Sequence, residues 1–189
     1  MTRSIGTEGR FSDEPRELRS EDSFDVAALQ QWLHGHVPDL HVDDPHVRQF
    51  PGGASNLTYL LSYPERELIL RRPPTGTKAA SAHDMKREYA IQERLRPVFP
   101  QVPRVLALCT DESVIGSEFY VMERVPGVIL RGNLPDGLTL SAASARALSQ
   151  DMVDTLVALH DVDVVETGLG DLGKGPGYVA RQVAGWSGR

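Results

Sequence analysis

The stretch FPGGASNLTYLLSYPERELILRR, from Phe50 to Arg72, constrains this chain more than any other. Two apolar runs, LTYLLSY and LILRR, flank the tight turn PERE, which predicts an antiparallel hairpin. Pro73 and Pro74 end the second strand, because proline cannot donate to a strand ladder. Ahead of the hairpin, Gly52 and Gly53 can take backbone conformations closed to other residues and can approach a ligand closely. Successive amides in such a turn can point at anionic oxygens, with Ser55 and Asn56 adding side-chain donors. Two adjacent glycines taken alone fit a hairpin turn with a bulge better than a ligand loop.

Around this hairpin the pattern alternates. Residues 1–22 are polar, punctuated by glycine and proline, and read as a poorly ordered leader. SFDVAALQQWLHGHVP predicts a helix capped by Ser23 or Asp25, with Leu29, Trp32, Leu33 and Val37 at helical spacing. VRQF is a short strand leading into Pro51. Ser81 opens a further helix through SAHD, with Asp84 at its third position, and that helix runs to about Arg96. RVLALC and FYVMERV, joined by TDESVIGS, form another hairpin, and Pro126-Gly127 breaks the chain. From Ser141 a long helix carries Ala145, Leu148, Met152, Leu156 and Leu159 on one stripe. YVARQVAGWSGR is helical again. The expected fold class is α+β. Residues 23–126 make a lobe of antiparallel sheet and helices, and residues 127–189 start a helical one.

Composition excludes several classes. A net charge of −6 over 189 residues argues against nucleic acid or an anionic membrane as partner. No apolar run approaches the ~18–20 residues of a membrane span. The single cysteine, Cys109, permits no internal disulfide and fits a cytoplasmic setting. It lies in RVLALC and reads as a buried structural thiol.

Two further features bear on chemistry. Glu88 shares a helical stripe with Met85, Ile91 and Leu95, and a carboxylate there is costly unless a cation meets it. Strand alternation puts Arg71 with Ile69 on one face and Arg72 with Leu70 on the other, so one arginine alone points toward the glycine loop. Arg71 is the expected partner of Glu88; the alternative is a solvated surface glutamate. In FYVMERVPG, an apolar strand ending at Pro-Gly is either a hinge whose backbone near Glu123 to Val125 bonds a heterocycle's edge, or simply a strand running into a loop.

Taken in order, FPGGASNLTYLL, LILRRPP, SAHDMKREYAIQERL, VPRVLALCTDESVIGSEFYVMERVPG and LVALHDVD resemble the aminoglycoside phosphotransferase family. More narrowly, they resemble its branch of kinase-like domains fused to acyl-CoA dehydrogenases. The resemblance covers roughly residues 23–189. It implies a protein-kinase-like N-terminal lobe, with ATP and Mg²⁺ bound between lobes and a hydroxyl-bearing small molecule as acceptor. By matching position it makes Gly52, Gly53, Ser55 and Asn56 the phosphate loop and Arg71 the phosphate clamp, where most kinases carry lysine. Glu88 becomes its helix partner, and Met122, Glu123 and Val125 contact adenine.

Phosphoryl transfer also needs an aspartate for the accepting hydroxyl and further metal-binding residues. The family carries these as His-Gly-Asp-x4-Asn and Asp-x-Asp, and neither occurs here. HGH at His34–His36, HDVD at His160–Asp163 and DLG at Asp171–Gly173 mimic parts of them without the required spacing. No residue is assigned as catalytic or as a metal ligand. The chain is expected to be a fragment of an ATP-dependent small-molecule kinase without its catalytic loop, self-associating through exposed apolar surface. The rival reading is a non-catalytic nucleotide-binding or protein-interaction module.

Overall fold

A computed structural model describes residues 15–51, 56–74, 84–130, 134–135, 137–173 and 175–188. Gly52, Gly53, Ser55 and Ser81 lie outside them. The strands are β1 (Arg16–Glu17), β2 (His46–Gln49), β3 (Leu57–Ser62), β4 (Glu67–Arg72), β5 (Val105–Cys109) and β6 (Phe119–Glu123). The helices are α1 (Val26–His36), α2 (Met85–Leu95), α3 (Ala142–His160) and α4 (Tyr178–Ser187). The strands form one antiparallel sheet in the order β1-β2-β3-β4-β6-β5, which gives the expected α+β class.

The predicted hairpin is the sheet's centre. Leu57 faces Arg72 and Ser62 faces Glu67 across β3 and β4, and β6 pairs on the far side of β4. Period-two alternation sends Tyr59, Leu61, Leu68, Leu70, Phe119 and Val121 to one face, where they are buried with Leu29 and Leu33 of α1. Each such side chain contributes roughly 1.5–3 kcal/mol by leaving water. Asp25 caps α1 by accepting from the amide of Ala28 at 2.9 Å. The opposite face carries Thr58, Leu60, Ile69, Arg71, Tyr120 and Met122, and α2 contacts the β5–β6 end of the sheet.

Two expectations need correction. The leader drawn to Asp22 is ordered over its last residues: Arg16–Glu17 pairs with β2, and Asp22 is buried in a 3-10 turn, Ser20–Asp22. A polar composition hid this because the segment's partners are polar too. Asp84 is not inside α2 but caps it, its carboxylate accepting from the amide of Arg87 at 2.9 Å. Arg72 lies with Leu70 on the core face, as alternation predicts, and at 1% exposure it is among the most buried side chains of the lobe. Its guanidinium donates to the Tyr59 hydroxyl (3.0 Å) and to the carbonyls of Asp22 (2.6 Å) and Ile115 (3.3 Å). It also lies over the rings of Phe24 and Tyr59.

Helix α3 forms where the periodicity predicts, capped by Ser141, and buries none of its residues. Leu148, Met152 and Leu156 are exposed, Met152 by 76%. No helix among the described residues is long and apolar enough to cross a membrane.

Candidate functional site

The face opposite the α1 core ends in a cluster around one carboxylate. Glu88 sits one turn into α2, and Arg71 reaches it from the end of β4, Nη2 to Oε2 at 3.3 Å. Both side chains are about two-thirds buried, with 29% and 33% exposure. Tyr120, opposite Arg71 in the β4–β6 register, donates its hydroxyl to the same Oε2 at 3.1 Å. Gln92, one turn further along α2, donates to that hydroxyl at 2.8 Å. Burial, more than any neighbouring charge, pushes the Tyr120 phenol up to about 12, so it stays a neutral donor.

The other carboxylate oxygen, Oε1, accepts from Asn56 Nδ2 at 2.5 Å. Asn56 is buried, and its amide bonds the helix carboxylate, where the sequence suggested a donor for phosphate. Glu88 therefore ties together three elements: the residue after the glycine loop, the β4 arginine and β6. The role of Tyr120 was illegible in the sequence because its hydroxyl meets Glu88 only across 32 residues of chain. Its one available signal was register: on the β5–β6 hairpin it stands two residues from Met122, hence on the same face.

Beside this cluster lies a cavity of about 370 Å³. Phe50, Thr58 and Ile69 form one wall, Met122 the back, and the segment 123–129 the other wall. Thr58, which lines the cavity, is the strand neighbour of Arg71, and Ile69, which also lines it, precedes Arg71 by two residues on the same face of β4. The walls are largely apolar, and the size suits a flat heterocycle. Met122, Glu123 and Val125 all line it. Arg124, which also lines it, pairs with Glu67, and Glu123 pairs with Arg104 at 3.6 Å.

One polar atom fits an anionic ligand. Among the described residues Arg71 Nε is buried and has no hydrogen-bond partner. A buried guanidinium nitrogen left unmet is costly, and an oxyanion beside it would remove that cost. The described residues do not fit a metal in the same way: no three or more His, Cys, Asp or Glu among them gather to hold one.

The kinase-motif mimics have structural partners instead. His36 stacks on Trp32 with ring centroids 4.0 Å apart and contacts its carbonyl. Asp163 accepts from the amides of Val165 and Glu166, which hold its carboxyl below the usual carboxylate range. Asp171 pairs with Arg94. Cys109 is buried, and burial pushes its thiol up, away from nucleophilic chemistry.

Comparison with known proteins agrees with this architecture. Acyl-CoA dehydrogenase family member 11 of Rattus norvegicus is 36% identical over 174 residues, which cover 90% of this chain and 22% of that protein. Acyl-CoA dehydrogenase family member 10 of Mus musculus is 36% identical over 172 residues, 91% of this chain and 16% of that protein. The chain thus spans about a fifth of the length of these relatives. A crystal structure of a candidate aminoglycoside phosphotransferase from Ralstonia eutropha JMP134 superposes with a TM-score of 0.71 at 35% identity. That match covers 87% of this chain and 46% of the other. The six-stranded antiparallel sheet with its helices is the protein-kinase-like N-terminal lobe of that fold. The model of the phosphotransferase enzyme family matches residues 46–189, and the chain belongs to that family.

Proposed function

We propose that this lobe binds ATP between the glycine-loop strands and the hinge, in the service of an ATP-dependent transfer of the γ-phosphate to a small-molecule hydroxyl. The observation that carries the reading is the Arg71–Glu88 ion pair on the sheet face whose Thr58 and Ile69, neighbours of Arg71, line an apolar cavity. Adenine would lie between Phe50, Ile69 and Met122, with the backbone of Glu123 and Val125 along its edge. Arg71 would meet the phosphates, and Gly52, Gly53 and Ser55 would cover them. An arginine keeps its charge at any physiological pH and offers a planar fork, where a lysine would offer a compact ammonium. Glu88, fixed by Asn56 and Tyr120, holds that fork toward the cleft.

Magnesium, when bound with the nucleotide, supplies neutralisation of phosphate charge. The described residues gather no ligand set for it, and no step is assigned through it. The sequence lacks the aspartate and asparagine that position an accepting hydroxyl, so this chain's part is to bind and orient the nucleotide. The acceptor is a hydroxyl-bearing small molecule bound elsewhere in the full enzyme. A second reading, a nucleotide-binding module that docks a partner without catalysis, is favoured by the exposed apolar stripe of α3.

Binding of adenylyl-imidodiphosphate (AMP-PNP) tests the reading. A ligand that binds only the folded state stabilises it by about 2.7 kcal/mol at a hundredfold excess over its Kd. The unchanged chain should show this as a raised Tm and saturable heat on titration, and Arg71→Ala should weaken binding at least about tenfold. A flat response of the unchanged chain to millimolar AMP-PNP would overturn it.

A further inference from the structure

We propose that the turn from Asp163 to Leu172 is a latch on α2, with Arg94 and Asp171 acting as positioning residues for the Glu88–Arg71 pair. The proposal rests on the nucleotide reading above.

Helix α2 is weakly seated by apolar burial; Met85 is its one fully buried residue. Polar links hold it instead. Lys86 Nζ meets Glu118 Oε1 at 2.9 Å near its start, Glu88 and Gln92 meet Arg71 and Tyr120 in its middle. Near its end, Arg94 Nη1 donates to both the Gly168 carbonyl and the Asp171 carboxylate. Arg94 and Glu88 are six residues apart, about 9 Å along a stiff helix. A displacement at one end is therefore felt at the other.

The turn is built to present those two acceptors. The Asp163 carboxylate accepts from the amides of Val165 (2.7 Å) and Glu166 (3.0 Å), and Thr167 Oγ1 donates to the Asp163 carbonyl at 2.6 Å. The Gly170 amide closes the turn on the Val164 carbonyl at 2.9 Å. Gly168 takes φ 68°, a conformation that favours glycine and that turns its carbonyl toward Arg94. Asp171 follows in a 3-10 turn, Leu169–Leu172. HDVD and DLG, which imitate kinase motifs without their spacing, thus supply the scaffold and the acceptor of the latch.

If the latch biases α2, nucleotide binding and latch closure are linked, and the linkage is reciprocal. Asp171 is largely exposed, so Asp171→Ala keeps the fold. In that variant, calorimetric titration with AMP-PNP should give a Kd about three- to fivefold weaker, the size that one exposed ion pair can transmit. Amide exchange at 91–95 should quicken. In the unchanged chain, AMP-PNP should slow exchange at 168–172, which a merely structural contact would not show. Binding by the unchanged chain with equal affinity in Asp171→Ala would overturn the latch and leave the nucleotide reading standing. No binding by the unchanged chain would overturn both.

Discussion

Arg71 and Arg72 are neighbours on β4 that serve opposite faces of the same sheet. Arg71 ion-pairs with Glu88 at the cleft, whereas Arg72 is buried against Tyr59, Phe24 and the carbonyl of Asp22. A slip of one residue in the β3–β4 register would exchange them. Burying Arg72 thus pins the register that aims Arg71.

The two should separate cleanly on substitution. Arg72→Met takes the donor from the Ile115 carbonyl and from the Tyr59 hydroxyl oxygen, and leaves the Asp22 carbonyl with the Tyr59 hydroxyl alone at 3.2 Å. Urea denaturation should show a loss of about 2–4 kcal/mol. Arg71→Met removes an ion pair whose side chains are about one-third exposed and should cost no more than about 1 kcal/mol. Equal losses for the two would contradict the assignment of Arg72 to the core.

Tyr120 sets an alkaline limit. Its folded pKa of about 12 lies above the ~10 of an exposed tyrosine, so the fold prefers the neutral phenol. That preference contributes fully below pH ~10 and is lost as pH climbs through about 12, a drop on the order of 2–3 kcal/mol. Tyr63 is raised in the same direction, also by burial. Absorbance titration at the phenolate band should show one fewer late-titrating tyrosine in Tyr120→Phe, with the raised Tyr59 and Tyr63 still present. An unchanged titration curve would remove Tyr120 from that role.

The stripe on α3 should govern association. Leu148, Met152 and Leu156 present a continuous apolar surface of the kind that buries itself against another protein. Sedimentation should show self-association that grows with concentration, and Met152→Gln with Leu156→Gln should reduce it. A concentration-independent monomer before substitution would contradict this.

Much of the lobe was legible from local pattern. Short apolar runs bounded by turn residues located β3, β4 and β6, and helical spacing with capping residues located α1, α2 and α3, because each depends on neighbours a few residues away. The Arg71–Glu88 pair was legible too. A carboxylate on an inward helical stripe demands a cation, and alternation left one arginine facing it. The α+β class followed from those elements in order, and the family from the resemblance of the quoted segments.

What the pattern could not reveal are partners chosen by folding across long stretches of chain. Asp22 meets Arg72 across 50 residues, and Asp171 meets Arg94 across 77. Asn56 turns its amide to Glu88, whose carboxylate supplies an acceptor where burial removes water. A polar residue in a polar segment carries no periodic signal of burial. Whether it is solvated or becomes a structural link depends on which surface closes over it, and tertiary packing alone decides that.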